Sequence, residues 1–306
     1  MSPHRGEPRP LLLLTGAGGM LGGMFRLRMP AYYELHACDH AALDITDAAR
    51  VNELVERLRP RVIVNCAAFA RVDDCEQSRE LALRVNGEGP GILARAAHQV
   101  GAVLVHISTD YVFDGCKKAP YVEEDAAAPL SVYGLSKLRG EQAVAASGLT
   151  RFFIVRTSWL YGPGGGNFVE TIIRLAKERE ELRIVADQIG CPTYTRDLVL
   201  AVFRLLDTPR HLDVGQNGDP YGIYHFAGAG QCSWFEFAED IVTLLRRHEP
   251  GPAVKRILPI RTEDYPLPAA RPRWSVLSTE KYQRLTGAVV PHWRQSLQDY
   301  FEARFA

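Results

Sequence analysis

Leu11-Leu12-Leu13-Leu14-Thr15-Gly16-Ala17-Gly18-Gly19-Met20-Leu21-Gly22 sets a glycine-rich turn between an apolar strand-like run and a helix-like stretch. Gly16, Gly19 and Gly22 stand at G-x-x-G-x-x-G spacing. The first permits a tight turn. The second lets backbone N–H groups approach a pyrophosphate, and the third lets the helix pack closely on the strand. The helix then points its positive dipole end at the phosphates. Gly16, Gly18, Gly19, Met20, Leu21 and Gly22 are therefore the candidate phosphate-side contacts of a dinucleotide.

Outward from this turn the same alternation repeats. Leu11–Leu14, Glu34–Cys38, Arg61–Asn65, Val103–Ile107 and Phe152–Arg156 read as strands. Met20–Met29, Ala48–Leu58, Glu76–Val100 and Val132–Ala146 read as the crossover helices between them. Continuous apolar strands separated by helices imply a doubly wound, Rossmann-type α/β fold whose parallel sheet is covered on both faces. Ligands then belong at the carboxyl ends of the strands. After Tyr161 the pattern becomes less regular: a helix over 168–180, strands over 182–186, 222–226 and 254–259, helices over 234–247 and 293–305, and Gly/Pro clusters from Leu212 onward. We read residues 1–160 and about 186–221 as the dinucleotide-binding domain, with 1–10 a loose tail. Residues about 161–185 and 222–306 read as a smaller C-terminal α/β substrate lobe.

Lys plus Arg equals Asp plus Glu at 36 each, so no bulk field draws nucleic acid or an anionic membrane, and a small-molecule partner is expected. No run approaches the roughly 18 apolar residues of a membrane span. Six cysteines without a Cys-x-x-Cys pair suggest neither a zinc site nor a disulfide framework, and point to reduced thiols in a cytoplasmic protein.

Asp39 follows the second strand, 23 residues after Gly16, where a ribose-binding carboxylate is expected. A 2′-phosphate there would meet a like charge, so of NADH and NADPH the former is favoured. Asp44, Ile45, Asn65, Ala67 and Ala68 are further cofactor candidates, the small residues letting a nicotinamide ribose lie against the backbone. Asn86 could orient a lysine through a water or merely cap a packing contact. Tyr133 and Lys137 stand at i and i+4 and share a helix face. An ammonium beside a phenol lowers a pKa otherwise near 10, which suits general acid–base chemistry. Ser108 and Thr109 end the fourth strand, where either hydroxyl could polarise a substrate carbonyl.

Taken together, these residues resemble the extended short-chain dehydrogenase/reductase family, and within it the subgroup that reduces dTDP-4-dehydro-L-rhamnose. The likeness runs from Leu12 to Phe301. It includes Val64-Asn65-Cys66-Ala67-Ala68, Ser108-Thr109-Asp110-Tyr111-Val112-Phe113, Tyr133-Gly134-Leu135-Ser136-Lys137 through Glu141, Arg156-Thr157-Ser158-Trp159, Asn167-Phe168, Gln188-Ile189-Gly190-Cys191-Pro192-Thr193 and Arg271-Pro272. The resemblance implies hydride delivery to the C4 keto group, with Tyr133 as proton donor, Lys137 on the cofactor ribose and Thr109 on the carbonyl. Ser108, Tyr133 and Lys137 join the cofactor set. Val72, Thr109, Asp110, Tyr111, Tyr133, Trp159, Asn167, Gln188 and Arg271 surround the sugar nucleotide, Arg271 suiting its diphosphate. A homodimer is allowed.

The chain departs from the family's pattern at Phe69-Ala70-Arg71-Val72, where a threonine is absent and an arginine added beside the expected sugar pocket. Some relatives use Mg²⁺ between subunits, yet no acidic cluster here takes that role, so no metal ligand is assigned. One rival reading is a reductase of another 4-keto nucleotide sugar. A second is a dehydratase or epimerase, against which Tyr111 stands where dehydratases carry an acid. The third is a non-catalytic regulatory subunit like that of methionine adenosyltransferase, against which Thr109, Tyr133, Lys137 and Trp159 are all present.

Overall fold

The computed structural model of the chain describes residues 9–208 and 220–306. The expected N-terminal tail and the Gly/Pro clusters between Leu212 and Gly218 lie, wholly or nearly so, outside the described residues. Along the first half run β1 (Leu11–Thr15), α1 (Met20–Arg28), β2 (Glu34–Cys38), α2 (Ala48–Leu58), β3 (Val62–Asn65), α3 (Val72–Gln77), α4 (Arg79–Ala82), α5 (Gly89–Val100), β4 (Val103–Thr109), α6 (Val132–Ala145) and β5 (Phe152–Thr157). The second half holds β6 (Leu160–Tyr161), α7 (Phe168–Glu178), β7 (Glu181–Val185), β8 (Ile189–Gly190), β9 (Thr193–Tyr194), α8 (Thr195–Asp207), β10 (Gly222–His225), β11 (Cys232–Ser233), α9 (Trp234–His248), β12 (Arg256–Ile260), α10 (Glu280–Thr286) and α11 (Trp293–Phe305).

Six strands form one parallel sheet in the order β10-β5-β4-β3-β1-β2. β3 and β4 are buried at every position, as strands covered on both faces must be. Strand order reverses between β1 and β3, and the crevice outside their carboxyl ends is where such sheets bind ligands. Asn65 ties the three strand ends together there. Its Oδ1 accepts from the Thr15 hydroxyl at 2.7 Å and the Ala67 N–H at 3.1 Å, while its Nδ2 faces His106 Nδ1 at 3.1 Å.

Three features differ from the sequence reading. Gly222–His225, read as part of the smaller lobe, pairs in parallel with β5 as the sixth strand of the main sheet. The expected helix over 76–100 is interrupted: α3 and α4 precede a π-helical turn at Leu83–Glu88, and only then does α5 run on. Thr195–Asp207, for which the sequence predicts no element, is a helix packed on α1, with Leu198, Val199, Val202, Leu205 and Leu206 buried along one face.

Beside the main sheet, β7 and β12 form a parallel pair covered by α7 and α9. One apolar cluster runs through both parts, from Leu12, Phe25 and Phe203 to Phe237, Trp293 and Phe301. Among the described residues no helix is long and apolar enough to cross a membrane.

The glycine turn is dictated by space. Gly16 has φ +69°, and a Cβ there would lie 2.5 Å from the Ala67 nitrogen. A Cβ on Gly22 would stand 2.2 Å from the Gly16 carbonyl oxygen. Gly22→Ala should therefore lower stability by about 1–3 kcal/mol through overpacking, read as a fall in the urea midpoint. An unchanged midpoint would mean that α1 can slide away from β1 at no cost.

Candidate active site

At the start of α1 the backbone donors are left open. Gly19 precedes the helix without a side-chain cap, and the first turn carries no acidic residue. The amides at Met20, Leu21 and Gly22 thus lack a side-chain acceptor, as an anion site requires. Exposed Gly18 lies beside exposed Asp39, a Cβ on the glycine falling 3.5 Å from the Asp39 Cβ. The Asp39 carboxylate accepts from the Ala42 N–H at the end of β2. Asp44 accepts from both the amide and hydroxyl of Thr46, and Ile45 is buried against Gly89. Ala67 and Ala68 line the loop after β3. A glycine turn, an acid after the second strand and a floor of small residues are what a nicotinamide dinucleotide needs.

Ser131 caps α6 by accepting from the Gly134 N–H, which fixes where the helix begins and sets Tyr133 in its first turn. The half-buried Tyr133 ring meets Tyr111 edge-on at 5.9 Å. Burial pushes its phenol above the ordinary tyrosine range, and the Thr109 hydroxyl is the neighbour that pulls it down. That differs from the expectation that Lys137 supplies the pull. The Lys137 ammonium is buried and donates to the Ile107 carbonyl oxygen at 2.6 Å. Burial pushes it down to about 8, against the opposing charge of Glu141.

Neighbouring strand residues face opposite sides of the sheet, which separates Ser108 from Thr109. Ser108 donates to Glu141 Oε1 at 2.5 Å beneath the site, so its hydroxyl is spent there. Thr109 is the one that reaches Tyr133. The Asn86 side chain bonds both backbone groups of Phe69 and the Ser136 hydroxyl, packing the π turn against the loop after β3 and against α6.

Trp159 stands between β5 and β6. It is a bulky residue at φ +45°, a conformation held only where the surroundings demand it. Its indole stacks on Trp234 with ring centroids 3.4 Å apart and planes 7° from parallel. A Cβ at Gly190 would lie 2.5 Å from that indole, which links the tryptophan segment to the Gln188–Thr193 turn. Gln188 is buried, accepting from Trp234 Nε1 and donating to Thr262, so it holds the aromatic wall rather than presenting a free amide. Asn167 likewise caps α7 and bonds the Gly162 and Gly165 carbonyls, which occupies the side chain expected on substrate. Arg271 makes a two-pronged pair with Asp73, whose carboxyl it holds below the usual range. Val72 opens α3 one residue before this aspartate. Arg71, the added arginine, is exposed and pairs with Asp74 over the Phe69 ring. The sequence does not single out Asp73 or Trp234: the first directly follows Val72, and the second opens α9 outside any motif.

The family model described as RmlD substrate binding domain matches residues 10–305. The chain belongs to this family. Spore coat polysaccharide biosynthesis protein SpsK of Bacillus subtilis is 40% identical over 294 residues, covering 96% of this chain and 97% of that protein. The dTDP-4-dehydrorhamnose reductase of Burkholderia thailandensis is 41% identical over 289 residues, with 94% and 96% covered. A crystal structure of dTDP-4-dehydrorhamnose reductase from Bacillus anthracis, in complex with NADP, superposes with a TM-score of 0.88 at 41% identity, covering 96% of this chain and 99% of that one. Membership of the RmlD substrate binding domain family thus covers both the dinucleotide crevice and the aromatic wall around Trp159. Among the described residues no group of three or more His, Cys, Asp or Glu is placed to hold a metal ion.

Proposed function

We propose that this chain reduces the C4 keto group of dTDP-4-dehydro-L-rhamnose to give dTDP-L-rhamnose. The observations that carry the reading are the Thr109–Tyr133 pair and the Trp159–Trp234 stack, in a chain whose nearly full-length relatives include dTDP-4-dehydrorhamnose reductases. A bound nicotinamide dinucleotide supplies the hydride. The Gly16–Gly22 turn and the open amides of α1 hold its phosphates, with Asp39 on the adenosine ribose.

Tyr133 gives its proton to the alkoxide oxygen that forms at C4. A phenol held above the ordinary range is protonated throughout neutral pH, which is the form an acid must have before the step. Thr109 then stabilises the developing phenolate, and the Lys137 ammonium beneath adds a positive field. Trp159 and Trp234 exclude water from the sugar face.

Purified protein supplied with dTDP-4-dehydro-L-rhamnose should oxidise both NADH and NADPH, with the lower KM for NADH because of Asp39, as followed by loss of nicotinamide absorbance. Oxidation of neither would overturn the reading, and a lower KM for NADPH would remove Asp39 from the ribose.

A further inference from the structure

Thr109 carries one hydroxyl proton, and two oxygens compete for it. Its Oγ1 lies 3.1 Å from Asp110 Oδ1, and the same hydroxyl serves the Tyr133 phenol. Oγ1 also accepts the Tyr111 N–H at 3.2 Å. An ionised Asp110 is an acceptor only. It would take the single Thr109 proton and leave none for Tyr133 or a carbonyl. A protonated Asp110 can instead donate to Thr109 Oγ1, and the threonine hydroxyl then donates onward.

The surroundings select the second arrangement. Asp110 is 2% exposed, and its Oδ2 finds no aligned hydrogen bond among the described residues. The groups facing it are Thr109, Tyr111 and Tyr133, Cys191 from the turn between β8 and β9, and the Ser275 hydroxyl. None is a cation. Arg271, which reaches Tyr111, is already matched by Asp73. A carboxylate buried without a counter-charge is strongly disfavoured. Burial accordingly pushes the Asp110 carboxyl up to about 7, against the pull of the Ser275 and Thr109 hydroxyls and of the backbone N–H groups of Asp110 and Tyr111.

We propose that Asp110 acts as a neutral carboxylic acid that donates to Thr109 and so turns the Thr109 hydroxyl away from itself and toward Tyr133. Asp110 is a positioning residue. The proton delivered to substrate remains that of Tyr133, and Asp110 sets only the direction of the hydrogen bonds. The catalytic consequence rests on the reductase reading above; the neutral acid itself does not.

Two measurements test this. In the pH profile of kcat, wild-type turnover should begin to fall near neutrality as Asp110 ionises. Asp110→Asn, whose amide donates at every pH, should abolish that fall and leave only the later one as Lys137 loses its proton at about 8. Asp110→Ala should lower kcat about 100-fold, in the range for loss of one preorganised donor, with little change in KM. An Asp110→Asn protein that melts like the wild type but keeps the neutral limb, or is inactive at every pH, would overturn the proposal. Infrared spectra of the protein without substrate provide the second arm. A protonated-carboxyl stretch should be present on the acid side of neutrality, titrate away above it, and be missing from Asp110→Asn. Its absence from the wild type sinks the proposal whatever the substrate. Its presence in a protein that fails to turn over dTDP-4-dehydro-L-rhamnose sustains the neutral acid and faults only the reductase reading.

Discussion

Tyr133→Phe should lower kcat by about 1000-fold while leaving dinucleotide affinity and melting temperature nearly unchanged. The separation follows from what the side chain touches. The ring packs edge-on to Tyr111 and against the small cluster of Cys75, Ala82 and Val132, contacts that a phenylalanine ring reproduces. The phenol oxygen has one hydroxyl neighbour, Thr109, whose Oγ1 keeps its bond to Asp110 when the phenol is gone. Only the transferable proton is lost. Stopped-flow hydride transfer and a fluorescence titration of NADPH would measure the two effects in one preparation. Full activity would remove Tyr133 from the acid role, and equal losses of affinity and turnover would make it a binding residue.

How far the sequence discloses this arrangement depends on how local each signal is. The first five strands are legible because burial on both faces requires continuous apolar runs, and Leu11–Thr15 and Val103–Thr109 supply them. The sixth strand is not legible as such. Gly222–His225 reads as a strand, but nothing in four residues says which sheet it joins across most of a lobe. The break after α3 falls where Asn86-Gly87-Glu88-Gly89-Pro90-Gly91 weakens helix, a local signal that a single helix over Glu76–Val100 ignores. The π turn forms where Asn86 reaches across to the Phe69 backbone, a tertiary contact. The same limit applies to the site. Two hydroxyls at a strand end are visible, but which one faces the ligand depends on strand register, and the structure turns Ser108 toward Glu141. Asn167 was readable in another way. Asn followed three residues later by Glu170 is a helix-start signature, and capping α7 is what the side chain does.

Arg156→Met should destabilise the fold by about 3–5 kcal/mol, because it strands a charge that the site is built over. Glu141 lies one turn beyond Lys137 on α6, and both it and Arg156 are almost wholly buried. Arg156 Nη2 meets Glu141 Oε2 at 2.7 Å and Nε meets Oε1 at 3.0 Å, with the guanidinium over the Phe113 ring. The other guanidinium nitrogen faces His225 Nε2 on β10 at 3.4 Å. Burial, with the Arg156 charge, pushes His225 down to about 3, so the ring is neutral and its Nδ1–H is free to donate to the Tyr121 carbonyl. The pair therefore ties α6 to β4 through Ser108, to β5 through Arg156 and to β10 through His225. Without Arg156, Glu141 keeps only the Ser108 hydroxyl and the more distant Lys137 charge. Because removing one partner leaves an uncompensated buried charge whereas removing both does not, Glu141→Gln in the Arg156→Met background should recover more than half of the loss. Urea denaturation of the two single variants and the double variant would give the coupling. If the double variant is as unstable as the sum of the singles, the cost lies in lost packing against Phe113 and not in charge.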